Sequence, residues 1–536
     1  MMAANASPVG VECQSLKYAY IVKGSLIVMF AGALLFIAFS CIALGFVRKK
    51  ARQALPLPPG PRKYPIIGNL LKIPSDNHWV VYDRLAKQCN SDIIHLSVFG
   101  NSVIVLNSFA AATEVLDHQS SISSSRPLGT MIGEIMGWKY IFSLQPYGQR
   151  WRDSRRMFWQ EFHPEHGRAH HRPIQIRCSR DLIRRLYESP VDFQAHVRHA
   201  IGAGIISVLY GLDTQEEDRN ITMVDDALKH INVGLIGTCM VDLFPFLRHI
   251  LRWMPGAGFR TEGENAARDL NLLIDVPYSQ TRKLLAEGRG ESSFIHRTLS
   301  RGPIPDGGLE ERILKEAATT TYIGANETSK LPMTLLFAMM AQNPDVQAKA
   351  QQELDQYLDY RRLPEFGDEV HLPYTYAVLL ELLRLEPTAP LGLPRSLVSD
   401  GEYKGYRLPS RSIAFYNIWA ILHDETTFPE PEKFDPSRFL KNGVIDTQLK
   451  DRVMATFGFG RRVCPGRYFA LDNLWLNLAS ILSVYTMSKA VDENGQQIEI
   501  NLEYTADLNR HVLPFKCSIK PRSYKAEELI RECCRL

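Results

Sequence analysis

The residues best suited to chemistry lie in one short stretch, Phe457-Gly458-Phe459-Gly460-Arg461-Arg462-Val463-Cys464-Pro465-Gly466-Arg467. Its glycines permit a tight turn in which backbone N–H groups can converge on one atom. Cys464 precedes an apolar-periodic run that opens Tyr468-Phe469-Ala470-Leu471, so it is expected near a helix N-terminus. The positive end of a helix dipole, converging amides and the nearby Arg462 all favour thiolate over thiol. A thiolate held by amides is a soft, tuned ligand for a transition metal. An isolated cysteine in a glycine turn would read as an inert buried thiol. The long pattern Phe-x-x-Gly-x-Arg-x-Cys-x-Gly favours metal ligation instead.

Three further constellations stand elsewhere in the chain. Glu381 and Arg384 are three residues apart in an otherwise apolar run, Ala377 to Leu385. On a helix they share one face. A pair on so apolar a helix is expected to be buried and to need a third partner. Trp151 and Arg155 are one turn apart in Tyr147-Gly148-Gln149-Arg150-Trp151-Arg152-Asp153-Ser154-Arg155. Gly324-Ala325-Asn326-Glu327-Thr328-Ser329 lies inside a long helical pattern that starts near Leu309. Glycine weakens a helix interior, and Thr and Ser can bond back to the preceding turn. Pro332 has no N–H to give to the carbonyl of Thr328. A groove is therefore expected in mid-helix.

These sites must be positioned by a mainly helical domain. Residues 92–106 alternate apolar and polar around Gly100-Asn101, which predicts a two-stranded hairpin. The pattern from about 150 to 390 is helical, with Pro/Gly breaks near 254–258 and 302–308. Residues 392–440 are rich in proline and short extended runs. A helix should follow Cys464, and a strand pair should close the chain near 500–520. The histidines at 163, 166, 170 and 171 match no standard metal spacing and read as loop residues. No internal repeat is found.

Together these motifs resemble the cytochrome P-450 family, with the flavour of its fungal microsomal members. The resemblance runs from the N-terminal apolar segment to Pro514-Phe515-Lys516-Cys517. It implies the cytochrome P-450 fold, mainly α with a small β portion, and haem b as cofactor. Cys464 would be the axial ligand of the haem iron, with Phe457 packed near the sulfur. Arg462, Trp151, Arg155 and Arg395 would meet the haem propionates. Phe434-Asp435-Pro436-Ser437-Arg438-Phe439 resembles the family's arginine loop, so Glu381, Arg384 and Arg438 would form its structural triad and hold the cysteine loop. Glu327 and Thr328 would be the acid and alcohol that relay protons to bound oxygen. The chain departs from the common form at Ala325, Glu327 and Pro332, which puts the groove's shape in question.

The implied activity is monooxygenation: O₂ and electrons, passed singly from an NADPH-dependent cytochrome P-450 reductase, hydroxylate a C–H bond. Cytochrome b5 is a further candidate partner. Arg152, Arg156 and Arg461 form a candidate basic docking face. Substrate contacts are expected from residues 120–140, 226–250 and 504–510, from Ile323 and Gly324, and from Thr388 to Leu393. Ile132, Leu235, Leu391 and Leu393 suggest a lipophilic substrate, such as a fungal terpenoid or related secondary metabolite. Two alternatives remain open. One is a haem-thiolate isomerase or dehydratase, which can dispense with the Glu327–Thr328 relay. The other is a haem sensor without turnover.

Bulk properties fit this reading. The 536 residues are 45% hydrophobic and 22% charged, with a net charge of +4, too small and diffuse for a nucleic-acid footprint. Nine scattered cysteines without CxxC spacing argue against a disulfide scaffold and for a reducing compartment. Gly24 to Val47 carries no charge. As a helix it would span roughly 36 Å, enough for a membrane core of ~30 Å. Arg48, Lys49, Lys50 and Arg52 follow, which orients the larger part to the cytosol. The expected organisation is a lumenal segment 1–23, an anchor 24–47, a basic flank and proline-rich spacer 48–61, and the catalytic domain 62–536. The expected site is the endoplasmic reticulum membrane, crossed once. Asn5 lies in a glycosylation triplet on the lumenal side, whereas those at Asn220 and Asn326 would be cytosolic and unused.

Overall fold

The computed structural model describes residues 55–74, 76–214, 218–231, 239–250, 252–289, 292–302, 304–505 and 509–533. The expected lumenal segment, the anchor 24–47, Asn5 and Leu235 lie outside them. Among the described residues no helix is long and apolar enough to cross a membrane. One compact unit comprises 58–403 and 408–536, and all the candidate site residues belong to it. A second unit comprises 1–57 and 404–407.

The larger unit is mainly helical, as the periodicity predicts. Its central element is α3 (Leu309–Gln342), after α1 (Gln149–Phe162) and α2 (Pro164–Glu188) and before α4 (Pro373–Leu385) and α5 (Arg467–Val484). A helix apolar on all sides belongs in the core. Accordingly, α3 packs against α1, α5 and the helix Phe193–Tyr210. It continues unbroken through Pro332. Between Ile313 and Ala341 only Gly324 and Thr328 are exposed, four residues apart on one face.

The β portion is small. Strands β1 (Ile93–Val98) and β2 (Asn101–Leu106) form the expected hairpin. Its turn is Phe99-Gly100, both at positive φ, and Asn101 already pairs with Val98. Strand β4 (Ile413–Tyr416) runs parallel to β2, and β3 (Arg395–Ser396) runs antiparallel to β4. The order is thus β1-β2-β4-β3. The closing pair is β5 (Tyr485–Lys489) with β6 (Cys517–Pro521). Its first strand lies earlier than 500–520, because β5 follows α5 directly.

Two local expectations are corrected. The proline-rich stretch is more than a spacer: the Pro59 carbonyl accepts the His95 amide at 2.8 Å, joining the stretch to β1. The histidines are not in a loop. His163 caps α2, and His166, His170 and His171 lie within it. Pro164 starts the helix at a position where its missing N–H costs nothing. Among the described residues Cys89, Cys178, Cys464 and Cys517 are free thiols. Asn220 and Asn326 are buried, so their glycosylation triplets are out of reach.

Candidate active site

The cysteine loop is built on two left-handed glycines, Gly458 (φ 82°) and Gly460 (φ 53°). A side chain at Gly460 would strike the Leu116 carbonyl at 2.3 Å, so both conformation and space require glycine there. Cys464 donates its amide to Phe457 O at 2.7 Å, and Val463 donates to Gly460 O at 3.0 Å. Gly466 caps α5, and its amide bonds the Cys464 sulfur. Burial pushes the Cys464 thiol up, while the Gly466 amide, Arg155 and Arg467 pull against it. The loop is therefore suited to a sulfur whose proton is replaced by a metal cation. The cations at the sulfur are Arg155 and Arg467, whereas Arg462, two residues before it, turns elsewhere.

Arg462 is buried and donates to Ser124 O at 2.8 Å and Gln145 O at 2.6 Å. Its guanidinium stands over the Trp151 ring at 4.4 Å, and Arg155 over the same ring at 5.5 Å. Arg155 also donates to Val463 O at 2.9 Å. The helix α1 thus presents Trp151 and Arg155 on one face, as their spacing predicts, and brings them to the cysteine loop. Arg395 is fully buried on β3 and donates to Phe459 O at 2.8 Å. Its Nε and Nη1 make no hydrogen bond, although the Tyr416 hydroxyl lies close enough to favour its charge.

Sequence reasoning missed a fourth cation. Arg126 is buried and donates to Ser143 O at 3.0 Å, to Pro394 O at 2.7 Å and to Leu393 O. Burial and the neighbouring Arg395 push Arg126 down to about 9. Burial, Arg126, Arg395 and Arg155 push Arg462 down to about 8. Among the described residues no carboxylate forms an ion pair with Arg126, Arg155, Arg395 or Arg462, although Asp117 lies close enough to favour the charge of Arg395. Four clustered, desolvated cations are costly unless anions meet them. One sulfur ligand beside such a cluster has the chemistry to hold an iron porphyrin that carries two carboxylates.

Phe457 is half-buried, and its recorded tie to Cys464 is through the backbone. The buried aromatic of the loop is Phe459, edge-on to Tyr416 and Phe109. The Glu381–Arg384–Arg438 brace forms as expected. Its bonds run from Glu381 to Arg384, Arg438 and the Asp435 amide, and from Arg384 to Leu422 O and Lys433 O. They tie α4 to residues 422–438.

On α3 the acid and the alcohol face different surroundings. Thr328 is exposed, and its hydroxyl donates to Gly324 O at 2.7 Å. Glu327 is buried and takes Lys330 Nζ at 2.6 Å and His511 Nε2 at 3.1 Å. Burial would raise its carboxyl, but the His511 bond and the Lys330 charge outweigh it and hold it down to about 2. Glu327 is therefore anionic at rest, and its proton-bearing neighbours are Lys330 and His511. His511 was not foreseen; it sits 184 residues away in sequence. The expected basic face is exposed: Arg152 and Arg461 both lie over the Tyr147 ring, and Arg156 pairs with Asp153.

Comparison with known proteins agrees with this geometry. The family model described as Cytochrome P450 matches residues 58–508. The chain is 39% identical to Cytochrome P450 monooxygenase 98 of Postia placenta over 91% of this chain and 95% of that protein. It is 38% identical to Cytochrome P450 monooxygenase ple1 of Rhodocybe pseudopiperita over 89% and 92%. It is 33% identical to Tryptamine 4-monooxygenase of Psilocybe cyanescens over 90% and 96%. With a match over residues 58–508, and with the cysteine loop built on its two left-handed glycines, the chain belongs to the cytochrome P450 family of haem-thiolate monooxygenases.

Proposed function

We propose that this chain hydroxylates a lipophilic small molecule, a secondary metabolite of terpenoid type, with electrons from an NADPH-dependent reductase. The observation that carries the reading is the Cys464 sulfur, bonded by the Gly466 amide, in a loop that the half-buried Arg155 and the buried Arg395 and Arg462 reach, with the buried Arg126 beside them. In this reading Cys464 ligates the haem iron, and Arg155, Arg395 and Arg462, joined by Arg126, hold the propionates. Trp151 orients Arg155 and Arg462 by stacking. When bound, haem supplies the binding and reductive cleavage of O₂, which a thiolate ligand promotes.

The chain's own residues do the rest. Thr328 presents a hydroxyl on the exposed stripe of α3. Glu327 keeps charge at the next position, and Lys330 and His511 hold protons beside it. The presence of these relay residues favours a hydroxylase over an isomerase, which needs no proton delivery to oxygen. A lipophilic substrate is supported by the apolar side chains of Ile132, Ile323, Leu391 and Leu393 in the expected contact segments. We also place the anchor at 24–47, in the endoplasmic reticulum membrane, with the catalytic unit cytosolic. Met240, Phe246 and Trp253 are exposed apolar residues that suit a unit resting on a bilayer.

The test is Cys464→Ser in the full chain. The reduced carbon monoxide complex should lose its thiolate-type absorption; its retention sinks the ligand assignment. Substrate-dependent NADPH consumption with reconstituted reductase separates the monooxygenase from an isomerase or a sensor. Product profiling in a host supplied with terpenoid scaffolds tests the substrate class.

A further inference from the structure

The proline at position 332 sits inside α3 yet does not break it. In an α-helix the amide of residue 332 would bond the carbonyl of residue 328, and proline has no such amide. An unpaired carbonyl at that turn would weaken the helix where Thr328 presents its hydroxyl. The carbonyl has another partner, because Thr388 Oγ1 donates to Thr328 O at 3.2 Å. Thr388 follows α4, in the segment Glu386-Pro387-Thr388, and is itself held. Its own carbonyl accepts the Arg510 amide at 2.8 Å. The Arg510 guanidinium pairs with Glu386 and lies over the rings of Trp79 at 5.0 Å and Tyr504 at 4.0 Å. The neighbouring His511 reaches Glu327.

We propose that Thr388 is a positioning residue: its hydroxyl replaces the amide that Pro332 lacks and fixes the backbone of Thr328 for proton delivery. The side-chain bond substitutes for a helical rung, and Arg510 anchors the donor from behind. The local weakness that proline introduces is thereby confined to one turn. It leaves the Thr328 hydroxyl free to exchange Gly324 O for another acceptor while its backbone stays in place. The inference rests on the reading of Thr328 as the relay alcohol.

A mutant cycle in the holoenzyme tests it, with two readouts: hydrogen exchange of the amides in 324–332, and product formed per NADPH consumed. Thr388→Val should speed exchange roughly tenfold, the scale of one lost hydrogen bond, and should lower coupling. Thr388→Ser keeps the hydroxyl and should match the parent in both. In the double variant Thr388→Val/Pro332→Ala a backbone amide is restored, so exchange and coupling should both recover. A double variant as impaired as Thr388→Val overturns the proposal, since Thr388 would then act on substrate or packing. If Thr388→Val fails to fold, folding of the double variant supports the proposal and its failure overturns it. Thr328→Ala reads the relay separately. If it uncouples while Thr388→Val does not, the positioning role falls; if it does not uncouple, the relay reading falls and the exchange cycle still decides the staple.

Discussion

Glu381 meets Arg384 through two parallel bonds, Nε to Oε2 at 2.6 Å and Nη2 to Oε1 at 2.9 Å, with both side chains fully buried. The same carboxylate takes Arg438 Nε at 3.2 Å and the Asp435 amide at 2.9 Å. A bidentate pair so satisfied is tolerated in a dry interior, but neither partner can be left alone there. Glu381→Gln leaves the buried Arg384 and the half-buried Arg438 without their counter-charge. Breaking a buried pair costs about 3–5 kcal/mol, a large part of a typical domain's stability. The expected result is a lower denaturant midpoint, or loss of soluble holoenzyme, for Glu381→Gln. An unchanged midpoint would remove the brace from the fold's supports.

Arg395 contrasts with that brace. It is equally buried, but two of its nitrogens lack a hydrogen-bond partner and its neighbours Arg126 and Arg462 carry the same charge. Its cost to the protein without cofactor makes sense if it serves an anionic ligand. Arg395→Met should therefore leave the thermal stability of the cofactor-free protein unchanged or higher. Haem retention should fall, by about tenfold or more for a lost charge-assisted bond of roughly 1.5–3 kcal/mol. Haem transfer to an acceptor protein measures the second effect, and calorimetry the first. A loss of stability without a change in retention would assign Arg395 to the scaffold.

How far the sequence disclosed this site depended on the range of the interactions. The cysteine loop and the Glu381–Arg384 pair are local patterns, so spacing alone placed them. Trp151 and Arg155 were legible for the same reason, since one helical turn sets their common face. Arg126 was not, because all its partners are backbone carbonyls, which carry no side-chain signal, and two of them lie 267 and 268 residues away. The His511–Glu327 pair was hidden likewise. At the histidines the loop reading fails because Pro164 begins a helix and Pro173 is carried inside it. Position within the helix, more than residue type, decided the outcome.

One of those histidines sets a pH dependence. His171 and Glu161 are buried together at 2.9 Å, and Arg297 joins the same carboxylate. Burial holds His171 below its ordinary 6.5, against the pull of Glu161. Burial would raise Glu161, but the His171 and Arg297 bonds outweigh it and hold Glu161 below 4.5. Both folded values are depressed, so the unfolded chain binds more protons in acid. The His171 contribution is complete above 6.5 and is lost as pH falls below it; the Glu161 contribution is complete above 4.5 and is lost below that. Melting temperature should therefore fall as pH drops from 7 to 4. His171→Phe, which keeps the packing against Phe162 and Phe469, should flatten the upper half of that curve. An identical slope in the variant would show that His171 does not contribute.

The relay on α3 makes the last prediction. Lys330 and His511 keep Glu327 charged down to about 2, so it does not titrate in the working range. In the proposed relay it would be the anion that draws protons from its neighbours, rather than a resting acid. Glu327→Gln removes the anion and keeps the shape. Turnover should drop by about 10²-fold, the lower scale of general acid–base catalysis, and the solvent isotope effect should rise. Thr328→Ala should behave differently: NADPH oxidation continues, but peroxide replaces product. His511→Gln, which keeps a donor to Glu327 but cannot relay a proton, should lower turnover while substrate binding is kept. Turnover equal to that of the parent would leave Lys330 as the proton source on this face.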